Sequence, residues 1–161
     1  QTEHKYKSSY ERIGKAVLKY SSLPKMDVTN FFELVLFSWL TGNNDMHLKN
    51  FSLYEAADKI RLTPAYDLLN AAIINPKDDE ELALTFNGRK KKLQREDFIK
   101  SAVTLDIENV IVERLINKYI KLLPKFEAVI QSSFLSAELK EKYGELLKER
   151  VERLSTNATK R

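Results

Sequence analysis

Phe31-Phe32-Glu33-Leu34-Val35-Leu36-Phe37-Ser38-Trp39-Leu40-Thr41-Gly42-Asn43-Asn44-Asp45-Met46-His47-Leu48-Lys49-Asn50 is the stretch from which the fold of this 161-residue chain can be read. Its first half repeats apolar residues at helical intervals and on most faces, through Phe31, Phe32, Val35, Leu36, Trp39 and Leu40. That pattern predicts a buried central helix, with Asp27 as a plausible N-cap and Gly42 as its stop. Its second half is polar and must be a loop delivered by that helix.

Outward toward the N-terminus, Ser8-Ser9-Tyr10-Glu11 has capping-box spacing, and Ile13, Ala16, Val17 and Tyr20 follow at helical intervals. Ser21-Ser22-Leu23-Pro24 closes that helix. In the other direction, residues 51–54 and 59–63 flank Glu55-Ala56-Ala57-Asp58 and read as a small hairpin. A polar loop at 75–81 precedes a predicted strand at 82–86, and Asn87-Gly88 is a turn signal. Arg95-Glu96-Asp97 opens another helix with Phe98, Ile99, Ala102 and Val103 as its stripe. A long helical pattern covers about 107–132, with a kink or break expected at Pro124. The last helix is expected from Ser136 to Leu154, with residues 155–161 frayed. The fold class is mainly α with a small β hairpin, in one domain spanning 1–161.

Composition narrows the function classes. The chain is 43% hydrophobic with four glycines and four prolines, which is globular and not disordered. No apolar run approaches the roughly 20 residues of a membrane span, so no membrane partner is expected. No signal peptide is visible; the chain opens on Gln1 rather than Met, which leaves an upstream segment open. The absence of cysteine rules out disulfides and thiol chemistry and fits a reducing cytoplasm. Two histidines, His4 and His47, are too few for a zinc site of His and Cys. Net charge is a mild +4, much of it in Arg89-Lys90-Lys91-Lys92. That run is either a solvated turn or a patch for nucleic acid or an acidic partner.

The loop carries the chemistry. Asp45, Asn50 five residues later and Asp67 beyond the hairpin offer a proton acceptor for a hydroxyl and two oxygen ligands for a divalent metal. Phosphoryl transfer from a magnesium nucleotide needs those groups. His47 and Lys49 alternate with Met46 and Leu48. In an extended loop the polar pair would face phosphate while the apolar pair packs inward. Each residue also has an ordinary reading. Asp45 and Asn50 suit turns, Asp67 could N-cap a helix through Leu68-Leu69-Asn70, and His47 could be a hydrogen-bonded structural histidine. Their joint order, Asp-x₄-Asn followed by a hairpin and a second Asp, repeats the kinase arrangement of base, metal amide and metal acid.

Phe37-Ser38-Trp39-Leu40 with Gly42-Asn43-Asn44-Asp45-Met46-His47-Leu48-Lys49-Asn50-Phe51-Ser52 resembles the catalytic segment of HipA-like serine/threonine kinases, the toxins of bacterial persistence modules. Leu62-Thr63-Pro64-Ala65-Tyr66-Asp67-Leu68-Leu69 is similar to that family's metal-binding segment. The resemblance implies a protein-kinase-like C-terminal helical lobe and ATP with Mg²⁺ as cofactors. By position it implies Asp45 as catalytic base, Asn50 and Asp67 as magnesium ligands, and His47 where ordinary protein kinases place a lysine. Lys49 belongs to the motif without an assigned role. Expected partners are a protein substrate and a HipB-like helix-turn-helix antitoxin, with DNA reached only through that antitoxin, in the bacterial cytoplasm. The family's N-terminal lobe has no counterpart here, because Gly14, Gly42, Gly88 and Gly144 are isolated and form no phosphate loop. Little or no activity is therefore expected from these residues alone, and activity once that lobe is supplied. Two other classes stay open: an inactive kinase-like binding or regulatory module, and an accessory nucleic-acid-binding protein.

Overall fold

The computed structural model describes residues 3–75 and 77–156. A 3₁₀ turn at Glu3–Tyr6 leads into α1 (Tyr10–Tyr20) and α2 (Pro24–Thr41). A second 3₁₀ turn, Leu48–Asn50, precedes a hairpin of β1 (Leu53–Ala56) and β2 (Lys59–Leu62). Three helices complete the chain: α3 (Arg95–Thr104), α4 (Asn109–Ser132) and α5 (Ala137–Ser155). Mainly helical with one antiparallel strand pair, this is the expected class.

α2 is the axis of the core. Val28, Phe31, Phe32, Val35, Leu36, Trp39 and Leu40 have no exposed surface. Burying such side chains contributes about 1.5–3 kcal/mol each. α1 lies along α2, and α5 packs on both α2 and α4. The close approach of α1 requires Gly14, where a Cβ would stand 2.5 Å from Leu105 and 3.2 Å from Phe31. Tyr10, Phe32, Phe86, Phe98 and Trp39 form a continuous run of ring contacts through the interior.

Several boundaries differ from the sequence expectation for identifiable reasons. α2 begins at Pro24 with Leu23 as N-cap, because proline lacks the N–H that the first turn leaves unpaired. Asp27 therefore sits inside the helix, fully buried, and its carboxylate is not a cap. It accepts from Arg61, Ser21 and the Leu62 N–H, fastening β2 to α2. Ser9, not Ser8, caps α1, and Glu11 instead accepts from Asn87 N–H and Ser101 Oγ. The hairpin turn is the pair Ala57-Asp58, both at positive φ, which suits a two-residue turn.

The segment at 82–86 is not a strand. It makes only isolated bridges, Ser9 with Thr85 and Phe86 with Arg89. Leu82, Ala83, Leu84 and Phe86 are all buried, so the run is interior filler without a partner strand. The turn signal after it holds, with Asn87 and Gly88 both at positive φ. α4 continues through Pro124 without a break. The last helix starts where expected, and Ser136 is its N-cap. Of the tail expected to fray, Ser155 still belongs to α5, and residues 157–161 lie outside the described residues.

Candidate functional site

The loop after α2 is shaped by Gly42, which ends the helix at φ 82°, a conformation that side chains resist. A Cβ there would also meet the Asn70 side chain at 2.6 Å. The Gly42 carbonyl accepts from both Ala71 and Ala72 N–H at 3.0 Å, so the segment after Asp67 is sewn onto the start of the loop. Tyr10 OH donates to the Met46 carbonyl at 2.7 Å in the interior, which fixes the loop's middle.

Asp67 returns beside Asn50. The Asn50 side-chain amide donates to the Asp67 carboxylate, across 17 residues. Thr63 N–H bonds the Ser52 carbonyl at 3.0 Å, and Tyr66 OH reaches the Lys49 carbonyl at 2.9 Å, so the hairpin's exit is tied to the loop it left. Asn43 Nδ2 donates to the Asp67 carbonyl at 2.9 Å. Asp67 itself is exposed and at φ 57°, a sparsely populated region for a non-glycine residue. No helix follows it, so its reading as an N-cap does not hold.

Asp45 is half-buried and accepts from Tyr6 OH at 2.8 Å. The Lys5 amine lies 4.7 Å from the centre of the Tyr6 ring. It is held above its ordinary pKa first by the Tyr6 side chain and more weakly by the charges of Asp45 and Asp67, so this ammonium shares its field with both acids.

The extended loop expected to carry His47 and Lys49 ends between them: His47 keeps an extended backbone, whereas Lys49 lies inside the 3₁₀ turn at Leu48–Asn50. The apolar half of the alternation holds: Met46 is fully buried and Leu48 packs on the core. His47 is half-buried with its ring edge-on to Tyr6 at 5.5 Å, and its Nδ1 is buried with no hydrogen-bond partner. Lys49 is exposed.

The donor set, all oxygen, suits a hard cation. Asn50 Oδ1 accepts the His47 N–H at 3.0 Å and keeps a second lone pair. Asp67 adds a carboxylate at an exposed position. Among the described residues no group of three or more His, Cys, Asp or Glu side chains could enclose a metal. A carboxylate and a carboxamide, both oxygen donors, fit magnesium, which keeps several waters and takes further oxygens from substrate phosphates.

The basic run stays at the surface, with Arg89, Lys91 and Lys92 exposed, but three of its four cations are paired. Lys90 pairs with Glu80 at 2.9 Å, Lys91 with Asp79 at 2.6 Å and Arg89 with Asp97 at 3.9 Å. That leaves Lys92 as the cation of the run without an ion pair among the described residues. Sequence reading missed Tyr6, Asn43 and Asn70. The only signal available was that tyrosine and asparagine lie near the loop in sequence or in the returning segment.

A helical lobe whose central helix delivers such a loop, with an acid brought back by a hairpin, is the architecture of a kinase-type C-terminal lobe. Residues 1–126 match the family model described as HipA-like C-terminal domain, and the chain belongs to that family. A Haemophilus influenzae protein named "Putative kinase" is 26% identical over 144 residues, covering 79% of this chain and 42% of the relative. "Putative kinase Y4dM" of Sinorhizobium fredii is 36% identical over 114 residues, covering 68% of this chain and 27% of the relative. The chain thus spans less than half the length of these curated relatives. Among solved structures, HipA in the Shewanella oneidensis complex of HipA, HipB and operator DNA superposes with a TM-score of 0.76 at 20% identity. That match covers 91% of this chain and 35% of the other, and shows a shared fold. No described helix is long and apolar enough to cross a membrane.

Proposed function

We propose that this chain is the catalytic C-terminal lobe of an ATP- and magnesium-dependent serine/threonine protein kinase, the toxin of a toxin–antitoxin module paired with a HipB-like antitoxin. The observation that carries the reading is the meeting of Asn50 with Asp67 on the loop that holds Asp45. Asn50 and Asp67, 17 residues apart, are brought together there, with backbone ties from the returning segment to the loop on both sides. The names of the relatives and the solved HipA complex support the same class.

In this reading Asp45 orients the substrate hydroxyl and accepts its proton. Asn50 and Asp67 hold the metal through one amide and one carboxylate oxygen. His47, with a buried ring nitrogen lacking a partner, and exposed Lys49 stand on the same loop as candidates for phosphate contact. Magnesium nucleotide, when bound, supplies the phosphoryl group and neutralises charge on its oxygens. The half-cleft formed by these residues offers no glycine-rich cover for a nucleotide, so turnover needs a second lobe.

ATP-dependent phosphorylation of protein substrate, measured with and without an added N-terminal lobe of this family, tests the proposal. Activity is expected only with the lobe, and Asp45→Asn or Asp67→Ala should abolish it. Magnesium-ADP binding that Asp67→Ala leaves unchanged would instead mark a non-catalytic scaffold.

A further inference from the structure

We infer that Tyr6 is a positioning residue for phosphoryl transfer: its hydroxyl holds one oxygen of Asp45 and leaves the other to the substrate hydroxyl. This rests on the functional reading above. A carboxylate on a loop has a free rotor, and an acceptor that must meet a hydroxyl within about 3 Å gains rate from having that rotor fixed. The Tyr6 hydroxyl sits 2.8 Å from Asp45 Oδ1, from a residue 39 positions earlier. No donor among the described residues reaches the other carboxylate oxygen of Asp45.

The geometry around this bond is a built one. Tyr6 belongs to the 3₁₀ turn Glu3–Tyr6, which docks on the 3₁₀ turn of the loop, and its ring braces the edge of His47 at 5.5 Å. Tyr10, one turn further on, holds the Met46 carbonyl at 2.7 Å. Two phenols from the N-terminal segment therefore fix the same loop, one by its backbone and the other by the side chain of Asp45. Tyr6 is 40% exposed, so its ring contributes little to the core, and core packing does not account for it. Tyr6 and Asp45 also line one 550 Å³ groove together, with Asn44, Ala71 and Asp78, so the bonded pair faces a space open to a ligand.

Tyr6→Phe keeps the ring against His47 and removes only the donor. In the assembly of this chain with its nucleotide-covering lobe, kcat should fall about tenfold to a hundredfold, the range set by one hydrogen bond to a charged group. KM for ATP should stay within about twofold, because Tyr6 makes no hydrogen bond to Asn50 or Asp67, and a rate loss confined to kcat marks an interaction used only at the transition state. Asp45→Asn is the control. If it abolishes turnover while Tyr6→Phe leaves kcat unchanged or raises it, the positioning role is overturned and the kinase reading survives. If the wild-type assembly has no turnover, or Asp45→Asn retains it, both are overturned.

Discussion

Replacing Asp27 by asparagine keeps the side chain's volume and removes its charge, at a site whose environment permits the consequence to be worked out. The carboxylate is 1% exposed and accepts from Arg61 Nε and Nη2 at 3.1–3.2 Å, Ser21 Oγ at 2.6 Å and Leu62 N–H at 2.9 Å. An amide can keep the bonds to one oxygen position but must turn an NH₂ toward Arg61 donors at the other. Losing a charge-assisted bond weakens the fold by about 1.5–3 kcal/mol. Arg61 is 26% exposed and can recover water, so the value should lie near 2 kcal/mol and not at the roughly 3–5 kcal/mol of a fully buried pair. Arg61→Gln inverts the situation, because it strands the anion that has almost no access to water. It should destabilise by about 3–4 kcal/mol, more than Asp27→Asn does.

Urea unfolding of this chain with the two single variants and the double variant measures this directly. The double variant should be no less stable than Arg61→Gln alone, giving a coupling of about 2 kcal/mol. Additive losses, or a larger loss for Asp27→Asn than for Arg61→Gln, would refute the reasoning. The pH dependence follows with its sign. Burial pushes the Asp27 carboxyl up, but Arg61, Ser21 and the Leu62 N–H outweigh it and hold the group below its ordinary 3.8. Stability from the ionised form is complete above that value and is lost as pH falls through the lower folded value. The gap between wild type and Asp27→Asn should therefore be flat at neutral pH and close below about pH 4.

Three further outcomes are expected. Asn43→Ala removes the donor to the Asp67 carbonyl together with a buried, unpartnered Oδ1, so stability should move by less than about 1 kcal/mol. Magnesium-nucleotide affinity, read by calorimetry on the two-lobe assembly, should nevertheless fall about fivefold to tenfold because Asp67 loses its backbone anchor. Gly42→Ala must adopt φ 82° and displace Asn70 from 2.6 Å, and thermal melts should show about 2–3 kcal/mol lost. Duplex DNA binding should depend on salt with a slope of about one, matching Lys92 alone; a slope near three or four would return the basic run to nucleic acid.

The parts legible in the sequence were those whose causes are local. The apolar faces of α2, the stop at Gly42, the two-residue turn at Asn87-Gly88 and the start of α5 near Ser136 each follow from residues close to one another in sequence. The segment at 82–86 misled because alternation cannot distinguish a half-buried strand from a run buried on all sides with nothing beside it to pair. Asp27 misled because a carboxylate near a helix start reads as a cap until Arg61, 34 residues away, is known to claim it. The same holds for Tyr6 on Asp45 and Asn43 on Asp67: a polar side chain's partner across tens of residues leaves no periodic trace.

That division explains how an exposed, positively twisted Asp67 can be fixed at all. Nothing in residues 63–70 forms regular structure, and the residue's own φ of 57° opposes the conformation it holds. The conformation persists because each neighbour is bonded to a separate rigid support: Thr63 to Ser52, Tyr66 to Lys49, the Asp67 carbonyl to Asn43, and Ala71 and Ala72 to Gly42. All of those supports lie on the one loop that leaves α2. The loop and the returning segment therefore behave as a single body anchored by the most deeply buried helix of the fold, and a shift of the α2 C-terminus moves Asp45, Asn50 and Asp67 together. Loosening one tie should weaken Asp67 without disordering Asp45, which is held independently by Tyr6, so metal affinity and proton acceptance should be separable by mutation.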